Sequence, residues 1–356
     1  MTTDLDHLMR AADPAASLPA YDESRIPGAV ARAVDDGSRA DVTPMPAPRR
    51  TRVRVGIAAA AAAAATVLLV PVVSLTGGGA ASPAAAAVLS RAASIAATDP
   101  IARPDQWYAI TTTGFHLVAS TGVDKDSPSS SSSWLVGSRR TEYVAVDGSR
   151  PTWVVETSGD TARLIAGAGD RPQRTSYTWT SNLAPRDIPS TWQVPSPAFL
   201  AALPRDVDAL RARLYADTQG AGSSADGEVL VAVADVLRSG LVTADLRSSL
   251  YRVLETVPGV EVTSKSVRVG SVTGVGIGRL EDVNGLRQEL VVDPATGQVV
   301  AEREIAVRDV DGIPAGTVIG QTTVTRTIVD AVPASVTSGA RHDTCTTSPD
   351  GAVTCT

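Results

Sequence analysis

From position 55 to position 75 the chain reads VGIAAAAAAAATVLLVPVVSL, an apolar run without a single charge. Twenty-one residues at about 1.5 Å each cover about 30 Å, the thickness of a bilayer's hydrocarbon core. The eight consecutive alanines are weakly hydrophobic, so insertion rests on Val67, Leu68, Leu69, Val70, Val72 and Val73. Pro71 is tolerated near the exit of a spanning helix. Arg49, Arg50, Arg52 and Arg54 precede the run, and no Lys or Arg follows until Arg91. The positive-inside rule therefore predicts a cytoplasmic N-terminus and an extracytoplasmic C-terminal part. A cleaved signal peptide is the competing reading, but its n-region is normally only a few residues long. A cleavage site in the following TGGGAASPAAA stays open.

Periodicity divides the rest. Residues 1–54 form a cytoplasmic segment, flexible apart from a short helix near 24–36, where Ile26, Val30 and Val34 recur at four-residue spacing. A helix that short needs a partner to be ordered. Residues 76–105 read as a hinge, Gly77 to Gly79, and a juxtamembrane helix opened by Ser82-Pro83 and carrying Val88, Leu89, Ala92 and Ile95. Residues 106–335 form the outer domain. Segments such as QWYAITTTGFHLVAS and PTWVVETS, broken by Gly, Asp, Ser and Pro, predict strands, with turns at Asp147–Arg150 and Asp293–Gly297. Between two β blocks, apolar residues return at helical spacing over Val207–Leu214, Val229–Leu237 and Leu246–Leu254. Pro197 and Pro204 are placed to open helices, Thr243 to cap one and Gly259 to close it. Residues 336–356 form a tail. The expected class is α+β: a curved antiparallel sheet, half-barrel-like, with three inserted helices, preceded by one transmembrane helix.

Charge refines this picture. The net charge is −6, and because residues 1–54 hold eight acids and eight arginines, the whole excess lies beyond the apolar run. A mildly acidic outer domain has no basic face, so no nucleic-acid partner is expected. The two cysteines, Cys345 and Cys355, lie near the C-terminus. In an oxidising compartment they would form a local disulfide; two free surface thiols are the alternative.

Candidate chemistry is sparse. The three histidines, His7, His116 and His342, lie far apart in sequence, and neither a nucleophile elbow, H-E-x-x-H nor a Walker-type loop occurs. Gly274, Gly276 and Gly278 superficially suggest a phosphate loop, but they open no helix, and bulges or sheet twist explain them better. Asp309 and Asp311 read as turn residues. No catalytic residue, metal or cofactor is assigned, and the chain is read as not an enzyme. All five tryptophans follow the apolar run, in or just after the first β block; they serve either as core or, for Trp107 and Trp153, as the lining of an apolar ligand groove.

Several strings in order carry a resemblance: ESRIPGAVARAV, the Arg-flanked span, AAAAVLSRAASIAA, RPDQWYAITTT, LAALPRDVDALRARL, VADVLRSGLVTADLRSSLYRVLETVPGVEV and GVGIGRL…QELVVDPATGQVVAERE. Together they resemble a group of uncharacterised actinobacterial single-span membrane proteins, often encoded beside extracytoplasmic-function sigma factors. The outer part also resembles the half-barrel of periplasmic lipoprotein carriers and of a sensor that restrains envelope-stress anti-sigma factors. The resemblance implies a lipid-like ligand and a cytoplasmic sigma-factor-related partner, besides the bilayer. Residues 1–54 contain no cysteine, so the zinc-type anti-sigma mechanism is not implied. Three functions follow: an envelope sensor or regulator, a structural or lipid-handling envelope protein, and a cell-wall hydrolase.

Overall fold

The computed structural model describes residues 80–95, 101–122, 130–310, 312–348 and 352–356. The apolar run at 55–75 and the short helix near 24–36 lie outside the described residues. Among the described residues no helix is long and apolar enough to cross a membrane.

The fold is α+β, as expected. A helix α1 (Pro83–Ile95) precedes four strands, β1 (Trp107–Gly122), β2 (Ser130–Ala145), β3 (Trp153–Gly167) and β4 (Thr175–Ser181). Four helices follow: α2 (Pro197–Ala202), α3 (Val207–Asp217), α4 (Ala225–Arg238) and α5 (Ala244–Leu254). Next come β5 (Glu261–Val269), β6 (Val272–Glu281), β7 (Leu286–Val292), β8 (Val299–Ala306) and β9 (Val318–Val329). The chain ends with α6 (Ala334–Thr337), β10 (Arg341–Asp343), β11 (Cys345–Thr347) and β12 (Val353–Cys355).

Ten strands form one open sheet in the order β10-β4-β3-β2-β1-β9-β8-β7-β6-β5. Each β block is a meander, because a short connection brings an antiparallel neighbour alongside. The two meanders join where β1 pairs with β9, from Trp107 opposite Val329 to His116 opposite Gly320. The sheet is mixed rather than purely antiparallel. Its departure is β10, which lies parallel to β4 after the long excursion through the second meander.

Among the described residues, helices follow the patterns at Val207–Leu214, Val229–Leu237 and Leu246–Leu254, with two corrections. The inserted set has four helices, since Pro197 opens the short α2 with Ser196 accepting from the Phe199 N–H. Pro204 opens nothing; Asp206 caps α3 through the Ala209 N–H, so the helix starts at Val207. Helix α1 is also part of the domain itself. Ala85, Leu89, Ala92 and Ala93 of α1 are buried in the main core. Its small residues let backbones approach: a Cβ on Gly297 would lie 2.6 Å from the Ala92 carbonyl oxygen.

The main core fills the space between helices and sheet, with Leu210, Leu214, Leu230, Val233, Leu246, Leu250 and Leu254 meeting Ile277, Leu290 and Val292. Each helix buries one stripe, which is what its periodicity demands. Tyr251 is wholly buried and donates its hydroxyl proton to the Gly297 carbonyl at 2.7 Å, tying α5 to the Asp293–Gly297 turn.

Candidate functional site

A pocket of about 300 Å³ opens where the helices cross one end of the sheet. Its walls come from Ile101 and Ala102 before β1, from Val146 after β2, from Leu200 and Ala201 of α2, and from Leu241–Ala244 between α4 and α5. Tyr108 of β1 and Arg326 of β9 line it from the sheet.

The local sequence builds each wall. Helix α4 ends at Ser239, whose N–H donates to Asp235, and the chain reverses through Gly240 at φ +68°. A side chain there would be strained in backbone conformation and would meet Ile110 at about 3.1 Å, so glycine is required. The segment released by that turn carries Leu241 and Val242 to the pocket. Arg326 holds it: one guanidinium nitrogen donates to the carbonyls of Gly240 at 3.2 Å and Val242 at 3.3 Å. The same guanidinium lies 5.2 Å from the Tyr108 ring centroid, a cation–π arrangement.

The opposite wall is fixed by Arg205, which donates to the carbonyls of Leu200 and Leu203 and, at 2.7 Å, to Asp245. Burial opposes ionisation of Asp245, but hydrogen bonds from Thr243, Arg205 and the Leu246 N–H outweigh it and hold the carboxyl at about 2. Both arginines fix the pocket's backbone walls and line it themselves, with Tyr108 and Thr243, beside the apolar Ile101, Val146, Pro197, Leu200, Leu241 and Val242. That lining suits an apolar group of limited size: pockets for small molecules start at about this volume.

The sequence singled out Trp107 and Trp153 for an apolar groove, and the structure puts neither among the residues lining this pocket. Side chains alternate along β1, so Trp107 lies on the face opposite Tyr108. It is 7% exposed and lies under the Arg150 guanidinium, 4.1 Å from its ring centroid. Trp153 meets His342 edge-on, with ring centroids 5.5 Å apart, at the seam between β3, β4 and β10. What the sequence did not flag, Tyr108, Arg205, Arg326 and 241–244, comes from four places remote in the chain. The one local signal was the Ser239-Gly240 reversal after a helical pattern.

Cys345 and Cys355 are joined by a disulfide, with sulfurs 2.08 Å apart and the two residues directly opposite on β11 and β12. His116 is exposed and, among the described residues, hydrogen-bonded to no carboxylate. Asp309 accepts from the Ala315 N–H at 2.9 Å, as a turn residue does; Asp311 lies outside the described residues. Among the described residues no group of three or more His, Cys, Asp and Glu side chains is placed to hold a metal ion.

The glycines of β6 lie opposite register shifts in β5, between Val262 and Ser264 and between Ser264 and Val267, as the bulge reading expected, and one of them has a further role. Gly276 leaves room for Glu289 of β7, whose carboxylate would sit 3.0 Å from a Cβ at that position. Glu289 is fully buried and accepts from Thr263 of β5 and, at 2.7 Å, from Arg303 Nε of β8. A second polar cluster ties α4 to the sheet: Arg238 lies 2.9 Å from Glu302 of β8 and also bonds Asp235. Compared with known proteins, the chain matches no family model, no curated protein and no solved structure.

Proposed function

We propose that this protein is a membrane-anchored sensor or regulator of the cell envelope. In this reading residues 1–54 are cytoplasmic, 55–75 span the bilayer, and the α+β domain lies outside, where it binds an apolar ligand or an apolar protein segment. The inner segment meets a sigma-factor-related partner, a role that rests on the sequence resemblance alone. The open sheet is taken as a half-barrel of the lipoprotein-carrier type.

The observation that carries the binding role is the pocket between α2, α5 and the β1–β9 pair. Its apolar side chains stand beside two arginines, Arg205 and Arg326, that are turned to backbone carbonyls. The volume fits one end of an acyl chain or one apolar side chain of a partner better than a whole lipid.

The experiment is purification of the full chain from its native membrane in mild detergent, with co-purifying molecules identified by mass spectrometry. Val146→Asp and Ile101→Glu place charge at the pocket, and neither residue belongs to the main core. An apolar molecule retained by the native chain and lost from both variants supports the proposal. Equal recovery from native and variant proteins, or no molecule above a control membrane protein, defeats it.

A further inference from the structure

The chain enters the domain at a fixed place. The Ala81 N–H donates to the Glu255 carbonyl at 3.0 Å, and the Ser82 N–H to the Val260 carbonyl at 2.8 Å. These bonds pin the start of α1 to the end of α5. The far part of α1, at Ala92, lies instead against Gly297, in the turn reached by the side chains of Arg247 and Tyr251. The two helices therefore run antiparallel, and everything before residue 81 leaves from the C-terminal end of α5.

The β6–β7 hairpin projects from that same end. Arg279 Nε donates to the Pro258 carbonyl at 2.8 Å, two residues before Val260. Glu261, the first residue of β5, pairs with Gly278, so from Arg279 on β6 has β7 but not β5 beside it. The end of the hairpin carries two large apolar side chains in water: Val283, 74% exposed, and Leu280, 38% exposed. The tip is braced. Arg308 donates to the Val283 carbonyl at 2.7 Å, the Val307 N–H to Gly285 at 2.9 Å, and Asn284 to Ser223 at 3.4 Å.

We infer that this end of the domain lies on the bilayer, with Val283 and Leu280 entering the lipid interface. The inference rests on reading 55–75 as a membrane span. Only residues 76–80 then separate the bilayer from Ala81, and five residues reach at most about 18 Å fully extended. A tether that short restricts which surface can face the lipid to the one surrounding Ala81. The charges at the tip are mixed, Arg279 paired with Glu281 and Arg308 bracing the turn that holds Asp282, so they give no electrostatic preference for anionic lipid. The contact is apolar and should form on zwitterionic bilayers. The pocket, lined by the first residues of α5, sits at the opposite end of that helix, about 16 Å away.

The test uses the full chain in phosphatidylcholine nanodiscs, with an environment-sensitive fluorescent amino acid at position 283, 280 or, as the distal control, 101. Doxyl-labelled lipid should quench the probe at 283 at least fivefold more than at 101, with a blue shift at 283. A probe at 280 should be quenched to an intermediate degree. If the chain resists alkaline carbonate extraction yet the probe at 283 is quenched no more than at 101, the interface inference alone is overturned. If carbonate releases the chain, the span reading fails and the inference with it. Crosslinking of position 283 to position 283 of a second copy, without lipid quenching, would also overturn it, by assigning the tip to self-association.

Discussion

Glu289 and Arg303 stand directly opposite each other on β7 and β8, their side chains bonded at 2.7 Å, and the carboxylate is wholly out of contact with water. Thr263 donates from β5 across the gap that Gly276 leaves in β6. Removing one partner of a buried pair strands the other charge, which costs about 3–5 kcal/mol. Glu289→Ala should therefore lower the melting temperature by roughly 10 °C, at about 2–4 °C per kcal/mol for a domain of this size. The double variant Glu289→Leu with Arg303→Leu should recover a good part of that loss. A single variant that melts within about 2 °C of native would show that the pair contributes little.

Gly276→Ala tests the same arrangement from the other side. The added methyl would meet the Glu289 carboxylate and Thr263 Oγ1 at 2.7–3.0 Å. Overpacking of this kind costs about 1–3 kcal/mol. Combined with Glu289→Ala, the methyl loses the carboxylate contacts and keeps only that with Thr263 Oγ1, so the two effects should be less than additive. Additive losses in denaturant titrations would separate the glycine from the carboxylate.

Glu302 gives the domain a pH dependence. Burial pushes its carboxyl up to about 7, Arg238 pulling it down and Asp235 pushing it further up. The folded value lies above the unfolded one near 4.5, so between those limits the folded state holds a proton that the unfolded state has lost. Stability should fall as pH rises from about 4.5 to about 7 and then level off, by at most about 3 kcal/mol. Glu302→Gln should flatten most of that slope in calorimetry; Asp235 and Glu304, also raised by burial, leave a remainder. A Gln variant with the native slope would locate the effect elsewhere.

The tail is closed by the Cys345–Cys355 disulfide and joined to β4 through Asn182, which donates to the Cys345 carbonyl at 3.1 Å and accepts from its N–H. Without reductant, alkylation should label neither cysteine. A loop this short stabilises by about 2–3 kcal/mol in the chain-entropy picture. The double Cys→Ser variant should fold, with hydrogen exchange accelerated at 341–347 and unchanged in α4 and α5. Acceleration throughout the domain would make the bridge a global rather than a local clamp.

Trp107→Ala should act on stability and not on the pocket. The ring is buried beneath Arg150, on the sheet face opposite Tyr108, and its removal should cost about 3–5 kcal/mol. Binding of whatever the pocket takes, measured well below the melting temperature, should stay within twofold of native. A larger loss of binding in the folded variant would bring Trp107 back to the ligand site.

Much of the local structure was legible in the chain. The stripe Leu246, Leu250, Val253 and Leu254 required a helix with one buried face, and α5 has it. Asp293–Gly297 required a turn, and its aspartate accepts from the Ala295 N–H at 2.9 Å and from the Thr296 hydroxyl at 2.7 Å. Such features are decided by neighbours within a few residues, where side-chain period and local hydrogen bonds suffice. Tertiary structure decided the rest. The β1–β9 pairing joins residues more than two hundred positions apart, and alternation along either strand names no partner. The same alternation marked Trp107 as buried without saying on which face. Gly276 reads as a bare strand glycine until Glu289 is seen lying over it. The pocket exists only because Ile101, Leu200, Leu241 and Arg326 converge, and nothing local in any of those four segments depends on the other three.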